Sequence, residues 1–60
     1  MKEETINEIA ESLVNGNFSF NKPKIKRMSK SDLLRLILIY NSMSGDNLEK
    51  TIKEFTNYLE

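Results

Sequence analysis

The chain has 60 residues, enough for one domain near the lower size limit for folding without a metal, a disulfide or a second subunit. It contains neither cysteine nor histidine, which excludes disulfide bonds and the usual zinc sites. Nine basic and nine acidic residues give a net charge of zero, but six of the cations fall within residues 16–44, where Asp32 is the only acid.

The first predicted helix spans residues 3–15. Glu3 and Glu4 suit the positive end of a helix dipole, and Asn15-Gly16-Asn17 predicts a left-handed stop. The apolar side chains between these ends recur with helical period: Ile6, Ile9, Ala10, Leu13 and Val14.

Residues 17–28 are predicted to form a long, partly ordered loop, with a short β-hairpin as the alternative. Phe18-Ser19-Phe20 and Lys24-Ile25-Lys26 each alternate in character, and Asn21-Lys22-Pro23 lies between them as a turn. Because proline is disfavoured inside a helix and pushes the residue before it toward extended geometry, a helix is not expected here. The loop is favoured because a lone two-stranded hairpin is marginal in water.

The second predicted helix begins at Ser29, which forms a variant of the capping box with Asp32, and ends at Ser44-Gly45. Its apolar side chains cover most of the circumference: Leu33, Leu34, Leu36, Ile37, Leu38, Ile39, Tyr40 and Met43. We therefore expect it to be the central and most buried element, with Leu33, Ile37 and Tyr40 at its centre.

The third predicted helix has Asp46 as its cap and Glu49 three residues later. Its apolar residues follow at spacings of four, three and four, which predicts a seam for packing along another helix: Leu48, Ile52, Phe55 and Leu59. The pattern as a whole predicts an all-α fold, a three-helix domain that occupies residues 1–60.

Catalysis, metal binding and cofactor binding are not expected. Histidine and cysteine, the commonest acid–base group and a common nucleophile, are missing, and the two glycines stand alone as helix stops. The start Met1-Lys2-Glu3-Glu4 is too acidic for a signal peptide. The longest apolar run, Leu36 to Tyr40, is far shorter than the roughly 20 residues of a membrane span, so a cytoplasmic protein is expected.

Two surfaces are candidates for partner binding. The first is a basic segment within nine residues: Lys22, Lys24, Lys26, Arg27 and Lys30. In an extended segment its first three lysines would share one face and could follow a phosphate backbone, with Phe18 and Phe20 near enough to stack on bases. A solvated loop whose cations offset the acidic helices is the plainer interpretation.

The second surface is the apolar excess of the second predicted helix. Two short neighbours and a loop are too few to cover it, so we expect exposed edges at Leu34 and Leu38 on one side, or at Ile39 and Met43 on the other, with Arg35 in the narrow polar stripe. Full coverage within the chain is the alternative.

The leading functional hypothesis is a small regulatory protein or inhibitor that occupies a protein partner through the second helix and residues 22–30. Nucleic-acid binding by the basic segment is the runner-up, and self-assembly as a homodimer or structural subunit is the third. A helix-turn-helix reader is disfavoured because the outward face of the third helix carries at least as many acids as bases.

Overall fold

The computed structural model describes residues 1–60 and contains four α-helices and no strand. They are α1 (Glu3–Val14), α2 (Phe18–Lys26), α3 (Lys30–Ser44) and α4 (Leu48–Leu59). The all-α class is confirmed, whereas the three-helix count is wrong. None of the four helices combines the length and the apolar character that crossing a membrane requires.

Helix α1 follows its sequence pattern closely. Ile6, Ile9, Ala10 and Leu13 are buried, and only Val14 of the predicted stripe is exposed. Gly16 takes a positive φ of 91°. The Gly16 amide donates to the Leu13 carbonyl and the Asn17 amide to the Ser12 carbonyl, the paired bonds that end a helix at a left-handed glycine.

Helix α2 occupies the segment predicted as a loop or hairpin, so both of those interpretations are wrong. Pro23 is the sixth residue of the helix and cannot donate to the Ser19 carbonyl, a defect that costs about 3 kcal/mol in a helix interior. Ser19 is exposed, so water can reach that carbonyl. Burial of Asn21 and Ile25, on the same face as the half-buried Phe18, offsets the defect.

The buried Asn21 ties α2 to α1. Its amide nitrogen donates to Ser12 Oγ at 2.9 Å and to the Asn17 carbonyl at 2.7 Å. Phe18, Asn21 and Ile25 stand at i, i+3 and i+7, a helical face whose middle residue is polar. That polar residue hides the helical period from a search for apolar repeats.

Helices α3 and α4 form an antiparallel hairpin around Gly45, which has a positive φ of 74°. The Asp32 amide donates to Ser29 Oγ at 3.2 Å, as the predicted cap requires. The cap of α4 was misplaced by one residue: the Lys50 amide donates to Asn47 Oδ1 at 2.8 Å, and Asp46 does not cap the helix. The buried face of α4 contains Thr51 and Phe55, whereas Leu48 and Ile52 are exposed.

The core consists of eight buried apolar residues: Ile6, Ile9, Ala10, Leu13, Ile25, Leu36, Tyr40 and Phe55. Four come from α1 and only two from α3, so the prediction that the latter is the most buried helix is wrong. Leu36, not Leu33 or Ile37, is fully buried beside Tyr40, and those two residues are half-buried. The reason is that α1, α2 and α4 cover one side of α3 and leave its other side without a neighbour.

Candidate protein-binding surface

The structure disperses the cations of the basic segment over different sides of α2. Phe20 and Lys24 line a depression with Thr5 and Glu8, on the side of α2 that adjoins α1. Lys22 lies on another side of α2, where its Nζ is 5.5 Å from the centre of the Tyr58 ring of α4. Successive helical residues differ by about 100°, so Lys22 and Lys24 diverge and the single face expected of an extended segment does not form.

The cations of the basic segment have no carboxylate partners. The three ion pairs of the structure involve the Met1 ammonium, Lys50 and Lys53, and none of the five cations of residues 22–30 takes part. Lys24 Nζ instead lies 5.1 Å from the centre of the Phe20 ring. Phe20 is 70% exposed, more than any other large apolar residue.

The apolar edges predicted on α3 have different surroundings. Leu34 and Leu38 are exposed. Ile39 is half-buried and shares a depression with Glu3 and Ile6 of α1. Met43 is exposed, but it lies beside Glu11 and Val14 at the other end of α1. Leu38 lines the same depression as Ile39, so the Leu34–Leu38 edge adjoins α1 at Leu38, and Leu34 is the more exposed of its two residues.

Exposed leucine and isoleucine side chains on α4 extend this edge. The exposed fractions are 58% for Leu34, 48% for Leu38, 41% for Leu48 and 46% for Ile52. We call these four residues the apolar outer face. The sequence pattern places Leu48 and Ile52 in an internal seam with Phe55 and Leu59, and this part of the prediction is wrong because the neighbouring helices leave both side chains exposed.

Helix geometry places the four residues on one side of the α3–α4 hairpin. Leu34 and Leu38 precede Tyr40 by six and two residues, hence by rotations equivalent to about 120° and 160°. Leu48 and Ile52 precede Glu54 by the same intervals. Tyr40 Oη donates to Glu54 Oε2 at 3.4 Å, so the two reference residues meet.

That meeting point faces α2. The ring of Phe18 lies 5.7 Å from that of Tyr40, edge-on, and stacks at 4.7 Å on that of Tyr58. Glu54 lines a shallow depression of about 370 Å³ together with Phe18 and Tyr58. Because Tyr40 and Glu54 point toward α2, the apolar outer face points away from it.

Charges flank the apolar outer face unevenly. Along α3 the exposed Arg35 lies beside it, in the depression that Leu38 shares with Glu3 of α1, and no ion pair engages Arg35. Along α4 the flank carries Glu49, whose Oε1 is 3.8 Å from Lys53 Nζ in a fully exposed pair. The α3 flank therefore carries one cation without an ion pair, with Glu3 close to it, and the α4 flank presents an accessible carboxylate.

Polar contacts fix the register of the hairpin beneath this surface. The Asn41 and Thr51 side chains are 2.7 Å apart, and the Asn41 amide nitrogen also donates to the Asp46 carbonyl at 2.7 Å. Thr51 Oγ1 donates to the Asn47 carbonyl at 3.2 Å. These bonds hold the start of α4 against α3, so the apolar outer face is presented by a rigid support.

Burial raises the pKa of the Tyr40 hydroxyl. The negative charge of Glu54, the hydrogen bond between Tyr40 and Glu54, and the charge of Asp46 raise this pKa further. No group of three or more histidine, cysteine, aspartate or glutamate side chains is arranged to hold a metal ion.

Comparison with protein-family models, with curated proteins and with solved structures finds no match for the chain.

Proposed function

We propose that the chain is a small, non-catalytic regulatory protein that acts by occupying a protein partner through the apolar outer face. The observation that supports this best is that Leu34, Leu38, Leu48 and Ile52 are each about half exposed on one side of one hairpin. Single exposed apolar residues are ordinary, but four on one rigid face are typical of an interaction site.

The energetics favour a reversible contact. Complete burial of an exposed leucine or isoleucine contributes roughly 1.5–3 kcal/mol, so covering the exposed halves of four such residues contributes about 3–6 kcal/mol. The loss of free translation and rotation on association costs an amount of similar or larger size. Additional polar pairing is therefore needed, and Arg35, which no ion pair engages, favours a partner with an acidic group beside its apolar residues.

A photo-crosslinking amino acid at Ser42 or Ser31, exposed positions of α3, tests the proposal in cells that produce the chain. We expect a discrete crosslinked protein species that Leu38→Asp abolishes and that Lys24→Glu, on the far side of the molecule, leaves unchanged. Both substitutions affect exposed side chains, so helix content should be preserved. If the crosslink persists in Leu38→Asp, or if none forms, the apolar outer face is not the binding site.

Nucleic-acid binding remains a second candidate because of Phe20. This ring is 70% exposed, Lys24 lies against it, and neither Lys24 nor Arg27 is engaged by a carboxylate. Exposed aromatic rings beside cations can stack on unpaired bases. Glu8 lines the same depression, however, and repels phosphate, so this candidate ranks second.

A salt titration with single-stranded oligonucleotides tests this candidate. Binding by the dispersed cations should show a logarithmic salt slope of about −0.7 per neutralised phosphate. Phe20→Ala should weaken it by the loss of one stacked base, roughly 1–3 kcal/mol. No measurable affinity at low salt would eliminate the candidate.

A further inference from the structure

A depression of about 230 Å³ lies between the start of α1 and the middle of α3. Its apolar lining consists of Ile6, Leu38 and Ile39. Ile6 is fully buried and Ile39 is half-buried, so the core holds both side chains in place, whereas Leu38 is exposed. Pockets for drug-sized ligands measure about 300–1,000 Å³, so this depression suits a smaller molecule with one apolar group.

Two side chains of opposite charge complete the lining, Glu3 from α1 and Arg35 from α3. Glu3 precedes Ile6 by three residues on its helix. Arg35 precedes Leu38 and Ile39 by three and four residues, so each charge lies one helical turn from the apolar lining of its own helix. Neither takes part in any of the three ion pairs of the structure. A carboxylate and a guanidinium therefore border the same apolar surface without pairing with each other.

We propose that this depression binds a free α-amino acid with an aliphatic side chain, such as leucine. The guanidinium of Arg35 presents a fork of N–H donors that matches the carboxylate of such a ligand, and the carboxylate of Glu3 accepts hydrogen bonds from its ammonium. The aliphatic side chain covers the apolar lining. A ligand with only one charge leaves either Arg35 or Glu3 without a partner, so the pair of charges selects a zwitterion.

The site is independent of the proposed function. It shares Leu38 with the apolar outer face and Arg35 with the flank of that face, but a free amino acid binds there without any protein partner. Both charged side chains are exposed, and pairs between exposed charges contribute little to affinity. A ligand of so few atoms also has a low ceiling of affinity, so we expect a dissociation constant of about 1–10 mM for leucine.

Nuclear magnetic resonance of the backbone amides tests the proposal in a titration of the full chain with three probes. The probes are L-leucine, N-acetyl-L-leucine, which lacks the ammonium, and L-leucinamide, which lacks the carboxylate, each raised to about 50 mM, above the expected dissociation constant. We expect leucine to shift the amide signals of residues 3–6 and 35–39, the segments that line the depression. Each of the other two probes should bind about two- to fivefold more weakly, because each lacks one of the two charge contacts.

Substitution of each charge identifies the group that it recognises. Arg35→Gln should bind leucine and leucinamide with equal affinity, because the contact to the carboxylate is lost. Glu3→Gln should likewise fail to distinguish leucine from N-acetyl-leucine. Lys30→Gln and Glu4→Gln remove exposed charges of the same two helices that do not line the depression, and these matched controls should bind all three probes as the wild type does. Far-ultraviolet circular dichroism verifies that each variant retains its helices.

Three results would overturn the proposal. Leucine that shifts no amide signal at about 50 mM has no site of the expected strength. Equal binding of the three probes to the wild type shows that the two charges do not select a zwitterion. Control variants that lose selectivity as Arg35→Gln and Glu3→Gln do show that the overall charge of the chain, not this depression, attracts the ligand. None of these results removes the crosslink that depends on Leu38, which tests the proposed function separately.

Discussion

Helices α1 and α3 show that the apolar content of a helix does not determine its burial. Helix α1 has a single apolar stripe, and four of its residues are buried. Helix α3 is apolar around most of its circumference, yet only Leu36 and Tyr40 are buried. The difference arises from the neighbours: the stripe of α1 faces α2 and α3, whereas one side of α3 has no helix against it. The apolar residues in excess of the core are what form the apolar outer face.

The largest loss of stability on substitution is expected in α1. Leu13→Ala removes a side chain that is fully buried among core residues, and should lower the free energy of unfolding by about 2–5 kcal/mol. In so small a domain that loss is enough to unfold much of the population. Val14→Ala, at the adjacent exposed position, is the matched control and should change the free energy by less than about 0.5 kcal/mol. Urea denaturation of both variants measures the contrast, and equal losses would contradict the assignment of the α1 face.

The next largest loss of stability is expected where the Asn21 side chain joins α2 to α1. Asn21→Ala removes the bonds to Ser12 Oγ and the Asn17 carbonyl and leaves a small void, so we expect a loss of about 1–3 kcal/mol. Asn57→Ala, an exposed amide on α4, should be nearly silent. Thermal unfolding compares the two. If Asn21→Ala is also silent, α2 is not held to α1 by this side chain.

How much of this fold could be predicted from the sequence depends on which residue type carried the pattern. The boundaries of α1 and α3 were predictable because glycine and serine mark them directly. Helix α2 was not, because Asn21 occupies its buried face and Pro23 argues against a helix unless the packing of Phe18 and Ile25 is known. Tertiary burial outweighed a local preference in that segment.

The candidate surface was predictable only in part, for a similar reason. The exposure of Leu34 and Leu38 can be predicted because α3 has more apolar positions than two neighbouring helices can cover. Leu48 and Ile52 continue the same apolar stripe as Phe55 and Leu59, so the sequence does not distinguish the exposed members of the stripe from the buried ones. Burial of a side chain at the edge of an apolar stripe is decided by which neighbouring helices pack against it, and that packing is a tertiary property.

A smaller change in the free energy of unfolding is expected above neutral pH, where the Tyr40 hydroxyl titrates. Its pKa is raised by burial and by Glu54, so the unfolded chain, with an ordinary pKa near 10.0, loses this proton first. The contribution of Tyr40 to stability is therefore complete below that value and is lost as pH rises through its folded pKa. Tyr40→Phe should lose less stability than wild type between about pH 9 and pH 11. Parallel denaturation curves at both pH values check this; an identical pH dependence would show that the phenol is not desolvated.

The smallest change in the free energy of unfolding should come from a substitution on the exposed side of α3. It tests directly whether the apolar residues of α3 differ in burial from those of α1. Leu34→Gln replaces an apolar side chain by a polar one with similar helix propensity, and should change the free energy of unfolding of the monomer by less than about 0.5 kcal/mol. Leu36→Ala, two residues away and fully buried, should cost about 2–5 kcal/mol. Urea denaturation of both variants measures the contrast. A large loss in Leu34→Gln would place Leu34 within the core and leave the α3–α4 hairpin without its exposed apolar surface.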